Sequence, residues 1–263
     1  MKVRYLILLI TLGSCAAKKP AKQAFNTDVY LNGTVVRIDT LTWVDSSRNR
    51  TIPLAIYNRE DLTNIKYNLH KNIYKKLVIL NPGYGGTRND YGYIANNLAI
   101  KGYLVVVVQH DLPTDDPLPQ TGDIYKLRKP FWDTGVKSVL FVTARLKKEY
   151  PGLDYHNIIL IGHSNGGDIA MLIANEYPDF AKMVITLDNR RVPLPKRARP
   201  GVFSIRSSDQ PADPNVLPSE QEQKKYGNRI VKVNTKHNDM GGMGTDVQKR
   251  EINGLINDFL DSQ

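Results

Sequence analysis

Apolar residues in this chain fall in short unbroken blocks. They are Leu77-Val78-Ile79-Leu80, Tyr103-Leu104 followed by four valines, Ile158-Ile159-Leu160-Ile161, Met183 to Leu187, and Val202 to Ile205. A strand with one wet face alternates apolar and polar residues, whereas an unbroken run of this length suits a strand covered on both faces. Between the blocks the spacing becomes helical. Residues 91–101 end at Gly102, and 131–150 end at Pro151-Gly152. A third helical stretch follows Ser164 and stops at Tyr177-Pro178. Thr245 is placed to cap a closing amphipathic helix with Val247, Ile252, Leu255, Ile256, Phe259 and Leu260 on its buried side. Residues 214–226 are weakly helical, and 229–234 read as the last strand. Before the first block, 34–38, 41–45 and 52–57 look like an antiparallel hairpin turning at 46–50, with Pro53 suited to an edge strand. Residues 112–130 hold four prolines and read as a loop. Buried strands alternating with helices predict an α/β class, with a mostly parallel sheet covered by helices on both faces. No internal repeat is visible, and no insertion is long enough for a separate cap domain.

The first residues follow another logic. Lys2 and Arg4 precede an apolar run at 5–12 that is too short to span a bilayer. The run ends in Leu12-Gly13-Ser14-Cys15, which resembles the bacterial lipobox. That resemblance implies removal of residues 1–14 as a signal peptide and lipidation of Cys15. Cys15 is the only cysteine, which excludes an internal disulfide framework. An ordinary cleaved signal peptide is the alternative. Residues 15–26, with Lys18, Lys19, Pro20 and Lys22, read as a polar tether, and 27–263 as a single domain. Ala16 after the cysteine resembles the sorting pattern of outer-membrane lipoproteins of the enterobacterial type. The expected place is therefore the bacterial cell envelope, held to the membrane by a lipid anchor.

Composition changes this picture little. A chain of 263 residues with 41% apolar and 24% charged residues suits one domain with a large core. The formal charge is +10, but no basic helix, zinc pattern or RNA-binding aromatic signature accompanies it, so no nucleic-acid partner is expected. The charge reads as a basic surface, compatible with anionic membrane or envelope polymers.

Candidate chemistry centres on Gly162-His163-Ser164-Asn165-Gly166-Gly167. A serine bracketed by glycines between a buried strand and a helix is the pattern of a sharp turn that lifts the hydroxyl clear of the sheet. The Asn165 N–H then stands at a helix start, where it favours a developing negative charge. Ligands of a parallel α/β sheet bind beyond the carboxyl ends of its strands. The residues following the strands are Gly83/Tyr84, Gln109/His110, Ser164, Asp188, Asp209 and His237. A hydroxyl needs an imidazole to take its proton, and the imidazole needs a carboxylate to orient it. His237 is the preferred base and Asp209 the preferred acid, with Asp213 and Asp188 as alternatives for the acid. His110 competes with His237 but precedes the serine, and is expected to line the pocket. His163 sits beside Ser164 with its ring expected to point away. His70 and His156 fall in polar segments. The glycine-rich loop after Leu80 is expected to supply the second oxyanion donor from the Tyr84 N–H.

The order Ser…Asp…His resembles the α/β-hydrolase superfamily over residues 34–260. Three stretches resemble the branch of dienelactone hydrolases, cutinase-like polyester hydrolases and platelet-activating-factor acetylhydrolases. These are Trp43-Val44-Asp45-Ser46-Ser47-Arg48-Asn49-Arg50 with Ile52-Pro53, Pro82-Gly83-Tyr84-Gly85-Gly86, and the Ser164 turn. The resemblance implies cleavage of small or lipid-like carboxylic esters through an acyl-enzyme, without metal or cofactor. Ser164, His237 and Asp209 would be catalytic, Tyr84 and Asn165 would form the oxyanion hole, and Tyr84, His110 and His163 would contact substrate. Asn81-Pro82 departs from the His-Gly of many relatives. A peptidase or acyltransferase would use the same residues, and a non-catalytic envelope lipoprotein could keep the fold alone.

Overall fold

A computed structural model describes residues 25–31, 33–60 and 76–262. Cys15, the signal segment and His70 lie outside the described residues. Nine strands form one sheet among the described residues. They are β1 (Phe25–Leu31), β2 (Thr34–Asp45), β3 (Arg50–Glu60), β4 (Lys76–Asn81), β5 (Tyr103–Val108), β6 (Asp154–His163), β7 (Met183–Leu187), β8 (Gly201–Arg206) and β9 (Arg229–Lys232). Their order is β1-β2-β3-β5-β4-β6-β7-β8-β9. Strands β4 to β9 are mutually parallel, while β1 pairs antiparallel with β2, β2 with β3, and β3 with β5. The sheet therefore starts at Phe25, inside the segment expected to be tether.

Among the described residues there are five α-helices: α1 (Gly92–Ile100), α2 (Ile124–Glu149), α3 (Ser164–Glu176), α4 (Glu220–Tyr226) and α5 (Asp246–Asp261). Successive strand residues point to opposite faces, so the unbroken apolar blocks feed two cores. Leu77, Ile79, Leu104, Val106 and Leu160 pack with Trp132, Val139 and Ile169 from α2 and α3. Val78, Leu80, Val105, Val107 and Ile161 pack with Ile94 and Leu98 of α1 and Ile252, Ile256 and Phe259 of α5. The strictly parallel centre sends the carboxyl ends of β4 to β9 to one edge of the sheet, where the connecting loops gather.

Several local expectations change. Residues 34–45 form one continuous strand, paired with β3 from Val35↔Glu60 to Asp45↔Arg50. Pro53 is not at an edge, because β2 and β5 flank β3 on either side. Its carbonyl accepts the Gln109 N–H (3.0 Å) at the end of β5, so its missing N–H faces that same terminus and the β2 ladder loses nothing. Helix α2 begins seven residues before the expected 131. Asp123 caps it by accepting the Lys126 N–H (3.1 Å), and Pro130 is tolerated inside it. Val247 is 67% exposed, so the buried side of α5 starts at Ile252.

Phe203 on β8 is fully buried and stacks on Phe259 of α5 with ring centroids 5.0 Å apart. Phe203→Ala removes that ring and leaves a cavity that flanking backbone cannot fill. It is expected to destabilise the domain by about 3–5 kcal/mol, read from urea unfolding midpoints at unchanged slope.

Candidate active site

The turn at Ser164 is built by glycine. A Cβ at Gly162 would lie 2.3 Å from the Gly166 carbonyl oxygen, and one at Gly166 would lie 2.1 Å from the Asn81 carbonyl oxygen. Both neighbours are backbone and cannot yield, so only hydrogen fits. Ser164 itself takes a left-handed φ of 50°, a conformation that a side chain seldom adopts. It is the first residue of α3, and the Asn165 N–H belongs to the helix turn that has no internal acceptor. The Asn165 side chain is fixed by accepting the Trp132 Nε1–H at 2.8 Å, with both residues buried.

His237 Nε2 lies 2.9 Å from Ser164 Oγ, and His237 Nδ1 lies 2.6 Å from Asp188 Oδ2. Asp188 is completely buried directly after β7, in a left-handed conformation (φ 57°) that aspartate tolerates better than most residues. Burial alone would raise its pKa. The hydrogen bond from His237, the Arg206 charge and the donors of Ser207 together hold it below the ordinary carboxylate value. Ser207 Oγ donates to Oδ2 (2.7 Å) and its N–H to Oδ1 (3.1 Å), while Arg206 Nη2 stands 2.8 Å from Oδ1. An ionised Asp188 accepts a hydrogen bond from the Nδ1–H of His237, which leaves Nε2 as the acceptor for the serine hydroxyl. This series can draw a proton off Ser164 and hold the resulting imidazolium.

Asp209 occupies a different place from the one expected. Its carboxylate is exposed and accepts the backbone N–H of His237 (2.7 Å), so it holds the histidine loop and does not touch the imidazole. Two residues separate it from the end of β8, enough to turn the side chain outward, whereas Asp188 follows β7 with none between. The third candidate, Asp213, forms an ion pair with Arg191.

His163 is buried, and burial together with the nearby His237 pushes its pKa down to about 3, so the ring is neutral. Its Nε2 donates to the His237 carbonyl (3.0 Å), and its Nδ1 accepts from the Tyr91 hydroxyl (2.6 Å), whose oxygen accepts the Gly83 N–H (3.0 Å). This chain ties the glycine loop, the serine turn and the histidine loop together. It leaves His163 no free nitrogen for a substrate. Tyr91 has no motif around it, and the sequence marks it only as a helix start. His110 is also displaced from its expected role. It bonds Asn81 Oδ1 through Nε2 (3.0 Å) and lines a separate cavity of about 320 Å³ on the other side of Asn165.

Ser164 opens into a cavity of about 540 Å³ lined by Tyr84, Asn165 and His237, among others. Along the glycine loop the backbone N–H groups are occupied one after another. Gly83 donates to Tyr91, Gly85 to Asp111, Gly86 to the Gly83 carbonyl, Thr87 to Asp90, Arg88 to Gln109 and Asn89 to Thr87. The Tyr84 N–H has no acceptor among the described residues. No cluster of three or more metal-ligating side chains occurs among the described residues.

No family model matches the chain, and no curated protein matches it. Solved structures do. An esterase from the planctomycete Thermogutta terrifontis, with propionate bound, is 17% identical over 85% of this chain and 94% of its own, with a TM-score of 0.57. The esterase Est22 with p-nitrophenol is 14% identical over 84% of this chain and 80% of its own, at 0.58. An S-formylglutathione hydrolase from Agrobacterium tumefaciens is 13% identical over 89% and 96%, at 0.55. At such identities the likeness is one of fold: the chain has the α/β-hydrolase fold.

Asp168, one turn into α3 from Ser164, anchors the loop beyond Asp188. Its Oδ1 accepts the N–H groups of Arg190 (3.2 Å), Arg191 (2.9 Å) and Val192 (2.9 Å). Burial outweighs these donors and raises its pKa from 3.8 to about 6. The folded state therefore holds the Asp168 proton more tightly than the unfolded chain does. The associated stability is complete below pH 3.8 and is lost as pH rises through about 6. Asp168→Asn removes this dependence. Its stability relative to the parent is expected to improve by about 3 kcal/mol between pH 3.5 and 7.5, in urea titrations at each pH.

Proposed function

We propose that this chain, an α/β hydrolase by fold, is a serine hydrolase that cleaves carboxylic esters through an acyl-enzyme. The observation that carries the reading is the hydroxyl–imidazole–carboxylate series Ser164 Oγ, His237 Nε2/Nδ1 and Asp188 Oδ2, at 2.9 and 2.6 Å. Ser164 Oγ attacks the ester carbonyl carbon while His237 Nε2 takes its proton, and Asp188 balances the imidazolium. The carbonyl oxygen becomes an oxyanion, held by the N–H groups of Asn165 and Tyr84. Each donor of this kind is worth roughly 3–4 kcal/mol of barrier. Collapse breaks the bond to the alkoxy oxygen, which leaves as alcohol with the proton from His237. A water then gives its proton to His237 and its oxygen to the acyl carbon, which releases the acid and restores Ser164. The cycle uses only these groups of the chain.

Ester chemistry is also supported by analogy with the solved esterases that share the fold. Leu12-Gly13-Ser14-Cys15 supports attachment of this domain to the bacterial envelope through a lipid on Cys15.

Assigning Asp188, rather than Asp209, to the imidazole makes the two carboxylates separable. Asp188→Asn offers Nδ1 a donor where it needs an acceptor and favours the wrong tautomer. It is expected to lower kcat on p-nitrophenyl butyrate by about three to four orders of magnitude. Asp209→Asn keeps an acceptor for the His237 N–H and should retain activity within about tenfold. Equal losses in the two variants would reject the assignment.

A further inference from the structure

The wall of the Ser164 cavity carries three arginines, Arg128, Arg190 and Arg191, against a single carboxylate, Asp90. The guanidiniums feel one another: burial first, and then the charges of Arg191 and Arg190, lower the pKa of Arg128, and the carboxylates of Asp168 and Asp213 only partly oppose them. Arg191 is neutralised by Asp213, which lies outside this cavity. The other two are not. Arg128 Nε donates to the Pro119 carbonyl (2.7 Å) and Nη2 to Gln120 Oε1 (3.0 Å), while Arg190 Nη1 donates to Gln210 Oε1. Neither has a carboxylate partner among the described residues, and Arg190 Nε is buried with no acceptor.

These cations are held in place by the fold. Asp168 fixes the backbone from Arg190 to Val192, and Asp123 caps the N-terminus of α2, the helix that carries Arg128. A basic surface that exists only for solubility turns its charges into water, as the exposed Lys126 does two residues before Arg128. Arg128 and Arg190 are half-buried instead, beside the nucleophile. Removing a charge from water without a counter-charge costs free energy, and an incoming oxyanion recovers it. The residue type fits as well, since the guanidinium fork matches a carboxylate or phosphate in a way an ammonium does not.

We propose that the ester cleaved at Ser164 bears an oxyanion group, carboxylate or phosphate, away from its scissile carbonyl, and that Arg128 and Arg190 seat that group. This rests on the ester-hydrolase reading and adds the substrate class to it. The two residues set specificity and take no part in the bond changes at the carbonyl.

The test compares kcat/KM for matched esters. Mono-p-nitrophenyl adipate is set against p-nitrophenyl hexanoate, placing a carboxylate on the acyl side. The hexanoyl esters of glycolate and of 2-hydroxyethyl phosphate are set against ethyl hexanoate, placing the anion on the alcohol side. At least one anionic ester is expected to exceed its neutral counterpart by about tenfold or more. Raising the salt to about 0.5 M should narrow the gap. Arg128→Gln and Arg190→Gln should each reduce the ratio several-fold, while Lys126→Gln, which removes the same charge outside the cavity, keeps it. Circular dichroism melting identifies any variant that fails to fold, and the parent protein alone already decides the preference. Neutral esters hydrolysed at least as well as every anionic one would overturn this proposal and spare the ester-hydrolase reading. So would a preference that survives in both folded arginine variants. If the parent cleaves none of these esters, the underlying reading fails and this one with it.

Discussion

The first turn of α3 lies so close to the ends of β4 and β6 that no side chain fits between them. Gly166 meets the carbonyls of Asn81 and Pro82, and Gly162 meets the carbonyl of Gly166. This contact forces Ser164 into its left-handed turn and aims its hydroxyl beyond the sheet edge. It also presses the glycine loop after β4 against the start of α3, so that Tyr84, whose N–H has no acceptor among the described residues, lines the same cavity as Asn165. The position of the hydroxyl is therefore a consequence of backbone packing, and the surrounding groups need only converge on it.

They converge through buried polar contacts with two levels of control. Asp188 accepts from His237 and Ser207 and is ion-paired with Arg206, so its charge is sustained in a site where burial alone would neutralise it. Behind it, Asp168 accepts three successive N–H groups of the following loop. On the other side, Tyr91 and His163 connect Gly83 to the His237 carbonyl. Both ring nitrogens of His163 and of His237 and the Tyr91 hydroxyl all have partners, which favours one arrangement over many. Arg190 stands on the loop that Asp168 holds, so one part of the scaffold behind the imidazole also fixes a charge on the cavity wall, while Arg128 is carried by α2.

The fold and the nucleophile turn were legible in the sequence because their signals are local. Unbroken apolar blocks need cover on both faces, and glycines at 162 and 166 announce a close approach whatever the rest of the chain does. What stayed hidden depends on where strands stop. Asp188 and Asp209 each follow a predicted strand, and only the three-dimensional ends of β7 and β8 decide that the first reaches the imidazole while the second holds the backbone. Pro53 suggested an edge because sequence does not say which side of a strand its nitrogen faces. Pro130 suggested a loop because the Asp123 cap that starts α2 lies seven residues upstream. Tyr91 and the paired roles of Arg190 and Asp168 join residues far apart in the chain, and no spacing rule marks them.

The central claim is that Ser164 is made nucleophilic by His237. It is tested most directly by reacting the folded protein with a fluorophosphonate and locating the adduct by peptide mass spectrometry. The account predicts one fast adduct on Ser164 in the parent, with labelling slowed by orders of magnitude in a folded His237→Ala variant. A parent unlabelled at Ser164, or equal labelling rates in the two proteins, would contradict it.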